Sequence, residues 1–207
     1  MKRRKPKHQK RTNPRILILC DGLTEKNYFT ALKQDPERKR FLSALSVDIL
    51  EAKKREPIQI IEEAIKRKKK ALQQNNEYDY IWTVFDHDNR PKLLDAYLQA
   101  IKNNIKIAFS SIAFEYWYLL HFKKMAKAFP ICKALEKELQ KHYPDYKKAA
   151  QNDYVLLKNK LETAFENTVW LKKQMQHNIK EGKHITELNP YTDVDDLVKF
   201  LFSFSIK

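Results

Sequence analysis

The chain has 207 residues, 41 Lys plus Arg against 26 Asp plus Glu, a formal net charge of +15, and only two cysteines and two glycines. That length suits one domain, or one domain with a helical appendage, and 43% hydrophobic residues exclude wholesale disorder. Two cysteines exclude a disulfide framework and a four-cysteine zinc site, no apolar run approaches the roughly 18 residues that span a bilayer, and the charged N-terminus lacks a signal-peptide core.

A soluble, cytoplasmic protein is therefore expected, with a polyanionic partner, nucleic acid foremost. The first fifteen residues hold eight cations and no acid, so about half of the net charge sits in a short segment without apolar periodicity. Residues 1–14 are expected to form a disordered basic tail. Lys2, Arg3, Arg4 and Lys5 would follow phosphates by counterion release, or simply aid solubility.

The first expected element is a buried strand, RILILC over 15–20, bounded by Asn13-Pro14 and Asp21-Gly22. A helix follows from an N-cap at Thr24 and ends before Pro36. SVDILEA over 46–52 alternates as a second strand. Pro57 opens a helix that carries the basic run Lys66–Lys70, read as a solvated face near its end. YDYIWTVF over 78–85 reads as a central strand ending on Asp86. Pro91 opens a further helix, and IKIAF over 105–109 is a fourth strand. Strands that alternate with helices argue a mostly parallel four-stranded sheet flanked by helices. From residue 123 onward the spacing is helical, so 15–122 is expected as the α/β core and 123–207 as an α-helical C-terminal extension packing on it. Cys20 and Cys132 read as small buried apolar groups.

In an open parallel sheet, ligands bind beyond the carboxyl ends of the strands. Asp21 follows the first strand, Gly22 supplies a tight turn beside it, and Glu25 lies one helical turn on. Asp86 and Asp88 follow the third strand two residues apart, so they share a face while the chain stays extended; His87 then points the other way. Mg²⁺ takes oxygen ligands and can polarise a phosphodiester and acidify bound water. The plainer reading makes Asp21, Asp88 and Asn89 turn residues. In FEYWYLLHF, most aromatics read as core, while Glu115 and His121 stand out because a buried acid or imidazole is costly without a partner.

The stretches ILILCDGLTEKNYF (16–29), VFDHDN (84–89) and SSIAFEYWYLLHF (110–122), and more loosely HYPDYKKA (142–149) and NPYTDVDDLV (189–198), resemble the RloB family of prokaryotic anti-phage proteins. That family has a TOPRIM-like core. The resemblance implies a TOPRIM-type, Mg²⁺-dependent nuclease (Mn²⁺ also serving) that cuts nucleic acid, RNA (tRNA among the candidates) before DNA, in abortive infection. It implies metal binding by Asp21, Asp86 and Asp88, with Glu25 close by. Ser111, Glu115 and His121 become site or supporting residues along with Gly22. Lys147 and Lys148 form a basic pair that binds nucleic acid, Lys148 offsetting charge on the transferring phosphate; Glu115 or Glu25 orients the water. An AAA- or ABC-type ATPase encoded nearby is the implied partner, and a homodimer is allowed. The family usually has Glu where this chain has Asp21. The alternative is therefore a non-catalytic subunit of a defence complex that binds nucleic acid or a partner through a weakened metal site.

Overall fold

The computed structural model describes residues 13–150 and 153–204, the side chains of residues 40 and 41 apart. Lys2, Arg3, Arg4 and Lys5 of the expected basic tail lie outside the described residues. In chain order the elements are β1 (Arg15–Cys20), α1 (Leu23–Gln34), a short α2 (Lys39–Leu42), β2 (Ser46–Glu51), α3 (Pro57–Gln73), β3 (Tyr80–Asp86), α4 (Leu93–Lys102), β4 (Lys106–Ser111), α5 (Glu115–Leu120), α6 (Cys132–Gln140), α7 (Asp153–Leu157), α8 (Leu161–Lys180), β5 (Tyr191–Thr192) and α9 (Val194–Phe202).

β1 reads as a continuous apolar run because both of its faces are covered, the pattern of a central parallel strand. Ile16, Ile18 and Cys20 enter one apolar cluster with α1, α5, α8 and α9, while Leu17 and Leu19 enter a second with α3 and α4. The same alternation puts Trp82 and Val84 of β3 on the first side and Ile81 and Phe85 on the second.

The sheet order is β2-β1-β3-β4-β5, parallel through β4. The mostly parallel α/β expectation holds, with one correction. The sheet has five strands, because Tyr191 and Thr192 pair antiparallel with Ser111 and Ser110. Two residues carry no readable periodicity, so this edge strand was invisible in the sequence. The segment after residue 122 therefore adds a strand to the sheet as well as helices.

The chain leaves β1 toward β2 on one side and reaches β3 on the other. The strand order thus reverses between β1 and β3, which makes a crevice at their carboxyl ends. Helix starts also differ from expectation. α1 begins at Leu23 with Gly22, not Thr24, at its N-cap, and Thr24 is buried. α4 begins after Lys92, which takes a left-handed conformation, so Pro91 lies in the preceding turn.

α5 is buried along its whole length, and Trp117 is among its fully buried residues. The Trp117 ring lies 4.7 Å from that of His121 and 6.1 Å from that of Phe165 on α8. Trp117→Ala is expected to cost about 3–5 kcal/mol, read as a lowered denaturant midpoint by circular dichroism. A loss below about 1 kcal/mol would mean that α5 does not hold the helical layer to the sheet.

Candidate active site at the strand ends

Four carboxylates come from four different segments. Asp21 follows β1, its N–H donating to the Val84 carbonyl at 2.8 Å, which ties it to β3. Glu25 sits on the first turn of α1, and its Oε2 accepts the Gly22 N–H at 3.1 Å. Asp86 ends β3 opposite Ser110. Glu115 is the first residue of α5, just past β4. Asp21, Glu25 and Glu115 are 4%, 5% and 1% exposed.

Gly22 has an extended backbone that any residue could adopt, so the tight-turn reading is corrected. Its function is room: a Cβ there would stand 3.3 Å from Glu25 Oε2. The lack of a side chain lets the carboxylate close on the backbone.

Burial pushes the Asp21 carboxyl up, against the pull of Arg90. Glu25 is pushed up to about 7 by burial, with the charges of Asp21 and Glu115 adding to the rise. Asp86 is held well above the ordinary carboxylate range, again by burial first and then by Glu25, Glu115 and Asp21. Glu25 and Asp86 thus each feel the neighbouring acids. The buried Oδ1 atoms of Asp21 and Asp86 have no hydrogen-bond partner, and an unpaired buried carboxylate oxygen is costly.

Asp88 differs from its expected placement. β3 stops at Asp86, and Asp88 has a positive φ of 39°, so the chain is no longer extended and the two-apart rule does not apply. The Asp88 side chain is half exposed. Its Oδ1 accepts from Cys132 Sγ at 3.0 Å, and its Oδ2 lies 3.8 Å from Arg90 Nη2. Cys132 is accordingly a half-buried thiol that packs on the edge of the first apolar cluster and reaches the rim of the site, not a fully buried group; Cys20 is buried as expected. His87 packs toward Phe109, in the α3/α4 cluster, away from Asp86 as its alternation implies.

Two residues that sequence reasoning passed over complete the site. Arg90 Nη1 donates to Asp21 Oδ2 at 2.6 Å and also to the Arg55 carbonyl. Tyr146 donates its hydroxyl to Glu115 Oε1 at 2.5 Å. Arg90 directly follows VFDHDN, and Tyr146 lies within HYPDYKKA.

Lys148 Nζ lies 3.9 Å from Glu115 Oε1 and 3.3 Å from Glu136 Oε1. Burial opposes the Lys148 charge, but the two acids outweigh it and hold the ammonium above its ordinary value. Asn27 on α1 reaches the Ala149 carbonyl at 2.9 Å and pins this loop over the crevice. Lys147 is exposed. Ser111 is fully buried at the end of β4, its Oγ unpartnered.

His121 is buried at the C-terminal end of α5 and donates from Nδ1 to the Trp117 carbonyl at 2.9 Å. Burial pushes its imidazole down to about 4, so it is neutral at pH 7. No hydrogen bond or ion pair joins it to the acids among the described residues.

Lys53, Lys54 and Arg55 lie just beyond β2, on the same rim, and are exposed. Lys53 and Lys54 share an open depression of about 400 Å³ with Lys66, Arg67 and Lys70 of α3. Within the run Lys66–Lys70, Arg67 pairs with Glu63 at 2.6 Å, and Lys68 donates to the Asn103 carbonyl at 2.7 Å. The run is thus a solvated face for three of its members and a structural one for two.

Among the described residues no three His, Cys, Asp or Glu side chains are drawn together tightly enough to hold a metal ion as they stand. The donor set still suits a hard cation: oxygen ligands, mutual repulsion and two unpartnered buried oxygens. Arg90 supplies the positive charge on Asp21.

Fold and site together define a doubly wound α/β protein with a buried carboxylate cluster at its topological switch point. The chain matches the family model described as RloB-like protein over residues 16–201, most of its length, and it belongs to that family. No curated protein and no solved structure matches the chain. Among the described residues no helix is long and apolar enough to cross a membrane.

Proposed function

We propose that the protein is a divalent-cation-dependent phosphodiesterase of TOPRIM type that cuts nucleic acid, RNA before DNA, in anti-phage defence. The observation that carries this reading is the cluster of Asp21, Glu25, Asp86 and Glu115 at one crevice, with two buried carboxylate oxygens lacking partners. Asp21 and Asp86 would hold the cation, Asp88 reaching it from the rim. A bound Mg²⁺ or Mn²⁺ supplies a Lewis acid for the phosphodiester and a more acidic water.

The remaining work falls to the chain's own residues. Glu25, with its carboxyl near neutrality, can take a proton from the attacking water at Oε1. Glu115 is oriented by Tyr146 and can steady that water. Lys148 keeps its positive charge beside Glu115 and offsets charge developing on the phosphate. Lys53, Lys54, Arg55 and Lys147 would gather the backbone without reading bases. An ATPase partner would restrain an activity that is toxic to its host, in keeping with the abortive-infection role that the resemblance implies.

Cleavage of single-stranded RNA or tRNA with Mg²⁺ or Mn²⁺ tests the reading. Asp86→Ala is expected to reduce it by roughly 100-fold or more. Cleavage that survives Asp86→Ala combined with Asp88→Ala would remove the metal assignment. One observation favours the second reading, a binding subunit: the Arg90 guanidinium already pairs with Asp21. Salt-sensitive RNA binding without any cleavage would decide for it.

A further inference from the structure

The outer face of α4 is apolar and uncovered. Leu94, Leu98 and Ile101 are 44%, 55% and 62% exposed. At 3.6 residues per turn, positions i, i+4 and i+7 form one stripe along the helix. The opposite face of the same helix buries Leu93, Ala96 and Ala100 against the sheet, so α4 is apolar on two sides where a surface helix needs one.

Two charges flank the stripe. Asp95 stands at its first turn and Lys102 at its last, seven residues apart and therefore on the same flank. Both are exposed, and no hydrogen bond or ion pair occupies either among the described residues. The helix dipole also favours an acid first and a base last. It does not account for three exposed aliphatic side chains between them.

The geometry points to a homodimer in which α4 packs antiparallel on α4 of a second copy. A two-fold axis beside Leu98 sets Leu98 against its own counterpart and Leu94 against Ile101 of the other copy. In an antiparallel helix pair, like flanks face each other, so the same axis brings Asp95 to Lys102 across the contact twice. Apolar and charged pairs thus satisfy one register at once, the self-complementarity that an isologous interface requires. α4 starts beside the candidate site, since Leu94 and Asp95 border the depression that contains His87 and Arg90. The antiparallel arrangement therefore places the two sites at opposite ends of the contact, open to solvent. This pairing does not depend on the chemistry proposed for the acids.

Sedimentation velocity of the full chain from about 1 to 100 µM, the range suited to a small interface, tests the pairing. The wild type is expected to dimerise within it. Leu98→Glu is expected to give monomer with an unchanged circular dichroism spectrum, since the site is exposed. Asp95→Lys should weaken the dimer about 10-fold, and Asp95→Lys with Lys102→Asp should restore it. A wild type that is monomeric throughout would overturn the pairing and leave the face to a different protein. A dimer indifferent to Leu98→Glu, or a double charge swap no better than the single change, would also overturn it.

Discussion

Asp86→Asn is expected to raise the thermal midpoint of the ion-free protein while abolishing any rise produced by Mg²⁺ or Mn²⁺. In the absence of a cation, Asp86 holds a buried carboxylate against the charges of Glu25, Glu115 and Asp21. Removing one charge relieves that repulsion by about 1 kcal/mol or more, roughly 2–4 °C for a chain of this size. Because the folded value of Asp86 lies above its ordinary 3.8, the protonated carboxyl favours the native state. Its contribution to stability is present below the unfolded value and is lost as pH rises through the raised folded value.

The gap between the Asn variant and the wild type should therefore be small in acid and widen with rising pH. His121 acts in the opposite sense between about 4 and 6.5, but it does so equally in both proteins and cancels in the comparison. In the wild type, a bound cation should add stability by mass action, about 2.7 kcal/mol at a hundred times its dissociation constant. An Asn variant less stable than the wild type above neutral pH would contradict the repulsion. A wild type indifferent to millimolar Mg²⁺ and Mn²⁺ would contradict the cation site.

Arg90→Ala should move the ion-free protein in the reverse direction. Asp21 is 4% exposed, and Arg90 is its ion-pair partner at 2.6 Å. Removing one member of a buried pair leaves an uncompensated charge, about 3–5 kcal/mol of destabilisation at neutral pH. The loss should shrink in acid, where Asp21 can take a proton. If a divalent cation takes the place of the guanidinium, adding it should restore much of the lost stability, and the variant should bind Mn²⁺ more tightly than the wild type does. Isothermal titration with Mn²⁺ beside thermal melts at two pH values checks both. Unchanged stability at neutral pH would show that the pair carries no weight. Weaker Mn²⁺ binding in the variant would show that Arg90 helps to hold the ion instead of competing with it.

The four parallel strands were legible along the chain because burial leaves a mark in the residues that form them; their order in the sheet was not. RILILC has the bounds of β1, and α3 opens at Pro57 as expected and carries the basic run near its end. Elements at turns were less legible. The helix N-cap at Gly22, the left-handed Lys92 and the positive φ of Asp88 depend on what the backbone meets in space. Asp21, Asp86 and Glu115 stood out as acids because each interrupts or borders an apolar run, and Glu25 because it lies one helical turn past Asp21. Arg90 and Tyr146 did not, since a cation after a turn and a tyrosine in a loop look ordinary in any sequence. They become site residues only because Asp21 and Glu115 lie within hydrogen-bonding reach of them.

The sequence by itself therefore determined the parallel α/β architecture and the positions of the acids at the strand ends, because alternating burial and abrupt charges are local properties of the chain. Only the tertiary structure decided how those acids are balanced. Asp21 is neutralised by an arginine 69 residues away, Glu115 is oriented by a tyrosine 31 residues on, and an edge strand of two residues closes the sheet against β4. Such pairings are set by distance in space and by the cost of leaving a buried charge alone, and neither quantity is written in the spacing of residues along the chain.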